Sequence, residues 1–211
     1  MIDLHIHSNY SDGESSVYEI AKRAKALNIK SLAIVDHSIE YSRGLNEKKA
    51  AMRLKEIDAA ASTFDLKIYS GIECSIDVDG KILLPKFEFD FVVASVHECI
   101  SSLDFYTRVL KCLENCEFQV LGHLFSDFFC FNEKIEELDL KLLELMREKD
   151  VAVEINSRHK CPDENFLIMA DSFKIRYSIG SDAHSFLEVG KVGWSLEKAK
   201  RYMKQSKMFI P

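Results

Sequence analysis

The chain opens with the stretch Met1-Ile-Asp-Leu-His-Ile-His-Ser-Asn-Tyr-Ser-Asp-Gly13, in which residues 2–7 alternate between apolar and polar side chains. The alternation predicts a short β-strand, and residues two apart on a strand project from the same face. His5 and His7 should therefore project together, as two ligands of one metal ion would. Ser11-Asp-Gly13 is typical of a turn that leads into a helix. Two solvated surface histidines would give the same pattern, so this stretch alone does not establish a metal site.

The length and composition of the chain are typical of a globular protein. Its 211 residues correspond to one domain, expected to cover 1–211, with enough chain to bury a substantial core. No apolar run approaches the roughly 20 residues that a membrane span needs. The acidic, histidine-bearing N-terminus also differs from a signal peptide. The sequence therefore predicts no membrane contact and, by default, a cytoplasmic protein.

The cysteines and the net charge limit the kinds of partner. No two cysteines form a CxxC pair, and without a secretory signal all are expected to be reduced thiols, several of them buried. The six are Cys74, Cys99, Cys112, Cys116, Cys130 and Cys161. A net charge of −6 gives no support to a general nucleic-acid-binding surface. A small phosphorylated substrate, held by local cations, is compatible with this charge.

Apolar segments of strand length alternate with helical patterns along the chain. After the first strand, the predicted strands cover 31–35, 66–72, 91–96, 118–122, 151–155 and 176–180. Continuous apolar strands separated by helices indicate parallel βα units that are buried on both faces. The alternatives are an open doubly wound sheet and a closed barrel. The Gly-rich loop that dinucleotide-binding open sheets carry after the first strand is absent.

Local signals predict several boundaries. Ser16–Glu19 has the spacing of a capping box, and Asn46 is placed to cap a second helix. Asp79-Gly80 has the residues of a hairpin turn, which predicts a small excursion over 75–84. The helical pattern around Asp139 indicates either one helix or two abutting ones.

Six of the seven histidines and two carboxylates lie at or just beyond the carboxyl ends of predicted strands. In a parallel barrel these ends meet at one mouth, where barrel enzymes place their chemistry. Imidazole and carboxylate groups without thiolates favour Zn, Mn or Fe as catalytic ions. The candidate ligands, including one aspartate in the first turn, are His5, His7, Asp12, His37, Glu73, His97, His123, Asp182 and His184. Nine ligands allow two or three ions, with Glu73 as the candidate bridge.

The ordered set of motifs resembles the polymerase-and-histidinol-phosphatase (PHP) superfamily over nearly the whole chain. The matching motifs are His5-x-His7, Ser11-Asp-Gly13, Asp36-His37, Gly71-Ile-Glu73, His97, Gly122-His123, Glu154-Ile-Asn156 and Gly180-Ser-Asp-Ala-His184. The resemblance implies an α/β fold, a distorted seven-stranded (β/α) TIM-like barrel. It also implies a centre of three divalent metal ions (Zn, Mn or Fe) that hydrolyses phosphoesters.

The resemblance also distributes the ligands by position. It implies one ion bound by His5, His7, Glu73 and Asp182, a second by Glu73, His97 and His123, and a third by Asp12, His37 and His184. Some relatives have a histidine near the position of Asp12. No expected ligand is missing, which argues against an inactive copy.

The chemistry expected of such a centre needs no protein nucleophile. Clustered ions lower the pKa of a bridging water and offer hydroxide, and they offset the charge of an in-line transition state. Arg158, just past the sixth strand, is the first candidate to hold the outer phosphoryl oxygens, and Arg43 is the second. His159 has two interpretations, contact with the substrate or a solvent-exposed loop residue, and the second is favoured. The segments 75–90 and 125–133 are candidates for lining the mouth. The phenylalanines of the second have two interpretations, stacking on a base or ring and packing against the barrel, and packing is favoured.

Three functions are compatible with these residues. Hydrolysis of a small phosphate monoester, such as a histidinol phosphate or a nucleotide phosphate, is favoured. The alternative is a 3′–5′ exonuclease or other phosphodiesterase, since residues 1–13 and 41–45 are similar to the PHP domain attached to bacterial family X polymerases. Against it, no stripe of Lys and Arg with interleaved aromatics is present. The third is a non-catalytic metal-binding module, which the complete ligand set disfavours.

Overall fold

Seven parallel strands form one sheet, in which they follow the order of the chain. The computed structural model describes residues 1–211. Its strands are β1 (Ile2–Ile6), β2 (Ser31–His37), β3 (Lys67–Ser75), β4 (Phe91–Ser95), β5 (Val120–Leu121), β6 (Ala152–Asn156) and β7 (Tyr177–Gly180).

The two edges of this sheet meet, so that the sheet is a nearly closed barrel. A parallel bridge joins Ile6 to Ala183, and the backbone N–H of His7 donates to the carbonyl of Ala183. The N–H of Asp182 donates in turn to the carbonyl of His5. The predicted seven-stranded TIM-like barrel is confirmed, and the open doubly wound sheet is excluded.

Six helices follow the strands along the chain: α1 (Val17–Ala26), α2 (Glu47–Phe64), α3 (Ser102–Asn115), α4 (Glu136–Glu148), α5 (Glu164–Ser172) and α6 (Gly193–Tyr202). The capping box of Ser16 and Glu19 and the Asn46 cap are both present. α4 runs unbroken through Asp139, so the alternative of two abutting helices is wrong. None of these helices combines the length and the apolar character needed to cross a membrane.

Residues 76–90 join β3 to β4 without a helix or a strand. The N–H of Gly80 donates to the carbonyl of Asp77, which forms the predicted turn. The Asp77 carboxylate also accepts the N–H groups of Asp79 and Lys81, at 2.9 and 2.8 Å. The Asp77 side chain satisfies these donors, and residues 76–90 form a loop. The predicted turn is present, but the strands of the predicted hairpin are not.

The core has an inner and an outer layer. On β2, Leu32 and Ile34 pack under α1 and α2, whereas Ala33 and Val35 point into the barrel. The inner layer ends in Phe209, which stands against the ring of another inner residue, Phe91, at a centroid distance of 5.5 Å. Apolar side chains therefore fill the barrel below the mouth, and the polar residues of the strand ends lie above them.

β1 departs from the simple alternation of residues 2–7. Its pairing with β2 shifts by one residue between Asp3 and Ile6. As a result Leu4 packs inside the barrel and Ile6 packs under the helices, although strict alternation puts them on one face. An extra residue in a strand re-aims its side chains in this way. The expectation that His5 and His7 project together is correct, since their Nε2 atoms lie 3.0 Å apart.

A buried ion pair joins α2 to the sheet. The guanidinium of Arg53, which is fully buried, donates to Asp36 Oδ2 at 2.9 Å, to the Gly71 carbonyl at 2.6 Å and to Ser70 Oγ at 3.0 Å. Asp36 Oδ1 accepts the backbone N–H of Ser8, at 2.8 Å. Burial disfavours the charged carboxylate, but Arg53 outweighs this effect and holds the pKa of Asp36 below its ordinary value. This network connects the loop after β1 to β2, β3 and α2.

Candidate metal centre

The carboxyl ends of the strands surround a cavity of about 380 Å³. Eight of the nine predicted ligands line it: His7, Asp12, His37, Glu73, His97, His123, Asp182 and His184. The ninth, His5, lies beneath them, fully buried and in contact with His7. The structure therefore brings all nine side chains to the mouth of the barrel.

Glu73, near the end of β3, is the central residue of this cluster. Its Oε1 accepts a hydrogen bond from Ser95 Oγ at 2.7 Å and lies 3.1 Å from His123 Nε2 and 3.3 Å from His97 Nε2. Its Oε2 faces three other imidazoles, at 3.5 Å from His5 Nε2, 3.4 Å from His7 Nε2 and 3.3 Å from His37 Nδ1. Each oxygen thus faces its own group of ring nitrogens, as expected of a carboxylate that bridges two ions.

The two aspartates face His7, His37 and His184. Asp12 Oδ2 lies 3.3 Å from His184 Nε2 and 3.5 Å from His37 Nε2. Asp182 Oδ1 lies 3.5 Å from His7 Nε2 and 3.5 Å from His184 Nδ1. Asp182 has a positive φ of 55°, a conformation that is uncommon outside glycine and that is often found at functional sites.

Three overlapping sets of side chains have potential ligand atoms within 4.8 Å of one another. They are His7, Asp12, His37 and His184; His5, His7 and Glu73; and His37, Glu73 and His97. His7, His37 and Glu73 each belong to two sets, whereas His123 and Asp182 belong to none. The division of the nine ligands among three ions therefore stays a prediction.

The donor atoms are arranged as a cation requires. The buried Nδ1 atoms of His7 and His37 form no hydrogen bond of good geometry, although a carboxylate oxygen lies 3.3 Å from each. The Nε2 atoms of His97 and His123 face each other at 3.2 Å, as those of His5 and His7 do at 3.0 Å. Buried polar atoms are normally satisfied. Divalent cations would satisfy these nitrogens together with the carboxylates, and a thiolate-free set of this kind fits Zn, Mn or Fe.

The charges in the cluster also suit a cation. Burial alone would raise the pKa of Glu73, but His97 and His5 outweigh it, so that the pKa lies well below its ordinary value. Burial lowers the pKa of His7 to about 4, which leaves this ring neutral at pH 7. For His5, burial is outweighed by Glu154 and Glu73, which raise its pKa well above the usual value. A cation bound at His5 must therefore displace a proton.

Glu154 supports two of the predicted ligands from behind. Its Oε1 lies 2.6 Å from His5 Nδ1, and its Oε2 accepts the backbone N–H of His123 at 2.7 Å. A Cβ at Gly180 would come within 2.3 Å of Oε1, so that a glycine is required beside this carboxylate. A carboxylate behind a ligating histidine fixes its tautomer and orientation. The sequence contained Glu154 in a family motif but did not indicate this role.

Glu154→Gln is expected to lower the affinity of the protein for Zn by about 10- to 100-fold. An amide can accept from His5 or from the His123 N–H, but its NH₂ group then opposes the other donor. Competition with a chromophoric chelator measures the affinity. Glu148→Gln, an exposed glutamate on α4, is the matched control. Equal Zn affinity in wild type and both variants would contradict this role.

His159 belongs to the site, and the expectation that it is a solvent-exposed loop residue is wrong. Its side chain is 8% exposed, with Nε2 3.1 Å from Asp182 Oδ2 and Nδ1 2.9 Å from Ser126 Oγ. The loop turns inward because the N–H of His159 donates to Asn156 Oδ1, at 3.0 Å. The signal that could have identified it is its place after the end of β6, which matches the placing of the other six histidines.

The two arginines proposed for phosphate binding differ in position. Arg158 lines the cavity, with Nη1 3.3 Å from Glu188 Oε2. Arg43 is exposed and lies outside the lining. The N–H of Gly44 donates to the carbonyl of Tyr41, and this turn brings Tyr41 to the mouth in place of Arg43. Of the segment 75–90, Ser75 alone lines the cavity.

A disulfide between Cys99 and Cys130 connects the loops that follow β4 and β5. The prediction that all six cysteines are reduced is wrong for this pair. The two residues are 31 positions apart, and only the fold brings their Cα atoms to 4.9 Å. The other four are free thiols, of which Cys74, Cys112 and Cys161 are buried.

The fold and the site define a closed (β/α) barrel with a candidate metal centre of imidazoles and carboxylates at its mouth. The sequence profile of the PHP domain matches residues 3–158. The chain belongs to the PHP domain family.

Two curated relatives differ in how much of their length corresponds to this chain. The DNA polymerase/3′–5′ exonuclease PolX of Bacillus subtilis is 29% identical over 197 residues, which are 87% of this chain but 34% of the polymerase. This chain thus spans about a third of that relative. The histidinol-phosphatase of Lactococcus lactis is 25% identical over 251 residues, 97% of this chain and 91% of that enzyme.

A solved structure has the same fold. The histidinol phosphate phosphatase from Lactococcus lactis, crystallised in complex with zinc, L-histidinol and phosphate, matches with a TM-score of 0.73 and 20% identity. The match covers 99% of this chain and 94% of that one. At this level of identity, the comparison supports the architecture of the barrel.

Proposed function

We propose that the chain hydrolyses the phosphate monoester of a small molecule at a centre of three divalent metal ions. The observation that carries this proposal is the convergence of nine imidazole and carboxylate side chains at the mouth of the barrel, around a cavity of about 380 Å³. A cavity of this size suits a small ligand. The similarity to a histidinol-phosphatase over nearly the full length of both chains also supports a small substrate.

The three ions would be bound as the family resemblance implies, with Glu73 between the first and the second. Bound divalent ions supply a water of lowered pKa and neutralise phosphoryl oxygens. Ser95 donates to Glu73 Oε1 and so fixes the orientation of the carboxylate that would bridge two of the ions. Asn156 donates to Asp182 Oδ2 at 3.1 Å, which leaves Oδ1 directed at the imidazoles.

Arg158 would hold the outer oxygens of the phosphoryl group. It is the only Lys or Arg that lines the cavity. Glu188 orients its guanidinium, and the same carboxylate also accepts the backbone N–H of His184, at 2.9 Å. A guanidinium fixed on one side can still offer its remaining donors to an anion.

The first test is release of inorganic phosphate from an aryl phosphate. We expect turnover in the presence of Zn, Mn or Fe, its loss on chelation, and its return when metal is restored. His97→Ala should lower the rate by at least about 10²-fold, because it removes one of the predicted ligands. All seven histidines lie at the site, so the matched control is Glu117→Gln, an exposed residue. Absence of turnover with every metal would overturn the proposal and favour a non-catalytic module.

A 3′–5′ exonuclease is the second candidate, because the polymerase relative carries that activity in its name. Labelled single-stranded DNA, offered beside the aryl phosphate, separates the two. Stepwise loss of 3′ nucleotides with a higher kcat/KM than monoester hydrolysis would favour the exonuclease. The net charge of −6 favours the smaller substrate.

A further inference from the structure

The Cys99–Cys130 disulfide lies at the surface of the protein, beside the mouth of the barrel. Both of its residues are exposed, whereas the free cysteines Cys74, Cys112 and Cys161 are buried. A thiol reductant in solution can therefore approach this disulfide from the outside. Exposed disulfides are typically the labile and regulatory ones, because access decides whether a thiolate can attack one of the sulfurs.

One half of the disulfide follows a predicted metal ligand. Cys99 is two residues after His97, and residues 96–101 form no helix or strand. The His97 side chain has one polar contact outside the ligand set, between its Nδ1 and Ser75 Oγ, at 2.8 Å. The disulfide therefore restrains a backbone segment that no secondary structure holds and that carries this imidazole.

The other half of the disulfide follows the phenylalanines of residues 125–133, which divide into two pairs. Phe125 and Phe131 are buried, as the favoured interpretation predicted. Phe128 and Phe129 line the cavity instead, so that interpretation is wrong for them. Their single 3-10 turn, Asp127–Phe129, ends at Cys130. The disulfide thus anchors the segment that presents these two rings to the cavity.

Phe129 connects this anchor to the predicted ligands. Its ring lies 5.5 Å from that of His97 and 5.1 Å from that of His123, between centroids. A noncovalent contact between the two segments lies further along the chain, where Ser102 Oγ donates to Asn132 Oδ1 at 3.2 Å. Reduction would leave this contact in place. The segments would then stay together but lose the restraint that lies next to His97 and Phe129.

We propose that Cys99 and Cys130 form a redox-sensitive site, at which reduction by a dithiol weakens metal binding at the mouth of the barrel. One thiolate of the dithiol attacks a sulfur of the disulfide and forms a mixed disulfide, and its second thiolate then displaces the remaining protein sulfur. Two electrons pass to the protein, the dithiol becomes a disulfide, and its two protons complete the thiols of Cys99 and Cys130. Groups that orient a ligand control the affinity for its metal. With the bond open, His97 is oriented less firmly toward a cation.

Thiol counting in the folded protein is the first test. The protein is oxidised with glutathione disulfide, treated with dithiothreitol under native conditions, desalted and alkylated in denaturant. Alkylation should find four thiols before dithiothreitol and six after it, with an unchanged circular dichroism spectrum of the folded protein. Failure of glutathione disulfide to form the bond, or reduction that occurs only in the unfolded protein, would overturn the proposal.

Zinc affinity of the oxidised and the reduced protein is the second test. Competition with a chromophoric chelator, after removal of dithiothreitol, should show about 10-fold weaker binding by the reduced protein. The double variant Cys99→Ser/Cys130→Ser should match the reduced protein, since it lacks the disulfide and offers zinc no thiolate at this position. Treatment of this variant with dithiothreitol is the matched control and should leave its affinity unchanged.

Three results of the second test would overturn the inference. They are equal zinc affinity in both redox states, tighter binding by the reduced protein, and a loss of affinity when the double variant is treated with dithiothreitol, which would assign the effect to other cysteines. The effect of reduction on turnover, and no other part of the inference, rests on the proposed function. If no ester is hydrolysed in either state while the thiol count and the zinc affinity change as stated, the proposed function fails and the inference holds. Phosphate release at equal rates, with equal zinc affinity in both states, would refute the inference alone.

Discussion

Glu73→Gln is expected to lower phosphate release by about 10³-fold or more and to reduce the metal content of the protein. The two oxygens of this carboxylate face separate groups of imidazoles, with Oε1 3.1 Å from His123 Nε2 and Oε2 3.4 Å from His7 Nε2. An amide of the same shape fills the same space but has one oxygen and no charge. It can serve at most one of the two groups, and it leaves the positive charge of the bound ions without its central counter-charge.

Two measurements separate loss of metal from loss of fold. Elemental analysis of the purified variant gives the ratio of metal to protein, and circular dichroism reports the barrel. Glu117→Gln, an exposed glutamate before β5, is the matched control and should keep both the activity and the metal. A Glu73→Gln protein with a full metal complement and full activity would refute the role of this residue as a bridge.

Arg53→Ala should lower the free energy of unfolding by about 3–5 kcal/mol. Arg53 and Asp36 form a fully buried pair, and removal of the guanidinium leaves the Asp36 carboxylate without its counter-charge. The Gly71 carbonyl loses its hydrogen bond from Arg53 at the same time. Because domains are stable by about 5–15 kcal/mol, this single change should bring the fold close to its limit.

Urea denaturation followed by circular dichroism measures this effect. Lys55→Ala removes an exposed cation from the same helix and should change the free energy of unfolding by less than about 0.5 kcal/mol. Arg53→Lys keeps a charge but loses the planar fork that reaches Asp36 and Gly71 together, so it should give an intermediate loss. A loss below about 1 kcal/mol for Arg53→Ala would show that the pair contributes little.

Much of the fold could be predicted from the sequence because its signals are local. Continuous apolar strands such as 31–35 indicate burial on both faces, and the capping residues Ser16 and Asn46 stand directly before their helices. The candidate ligands were found for a related reason. All of them except Asp12 lie close to the end of a strand, and in a parallel barrel those ends meet in one place.

What the sequence could not predict depends on contacts between distant residues. Glu154 and His5 are 149 residues apart, and only the closed barrel shows that one supports the other. The shift of register in β1 depends on how that strand meets its neighbours. The pairing of Cys99 with Cys130 depends on the meeting of two loops. His159 was missed because its backbone turns inward through a side-chain acceptor, Asn156, that no periodic pattern indicates.

Closure of the barrel between β1 and the segment after β7 affects the order in which the strands can come together during folding. The strands pair in chain order, so each new strand can add to a sheet that already exists. Closure instead requires contacts such as that between Asp3 and Ser181, which are 178 residues apart and carry a large entropic cost. A chain folded only as far as β6 holds His5 and His7 but lacks Asp182 and His184. The nine predicted ligands are therefore complete only once β7 has closed against β1, and binding of a full set of ions would report that the two ends of the chain have met.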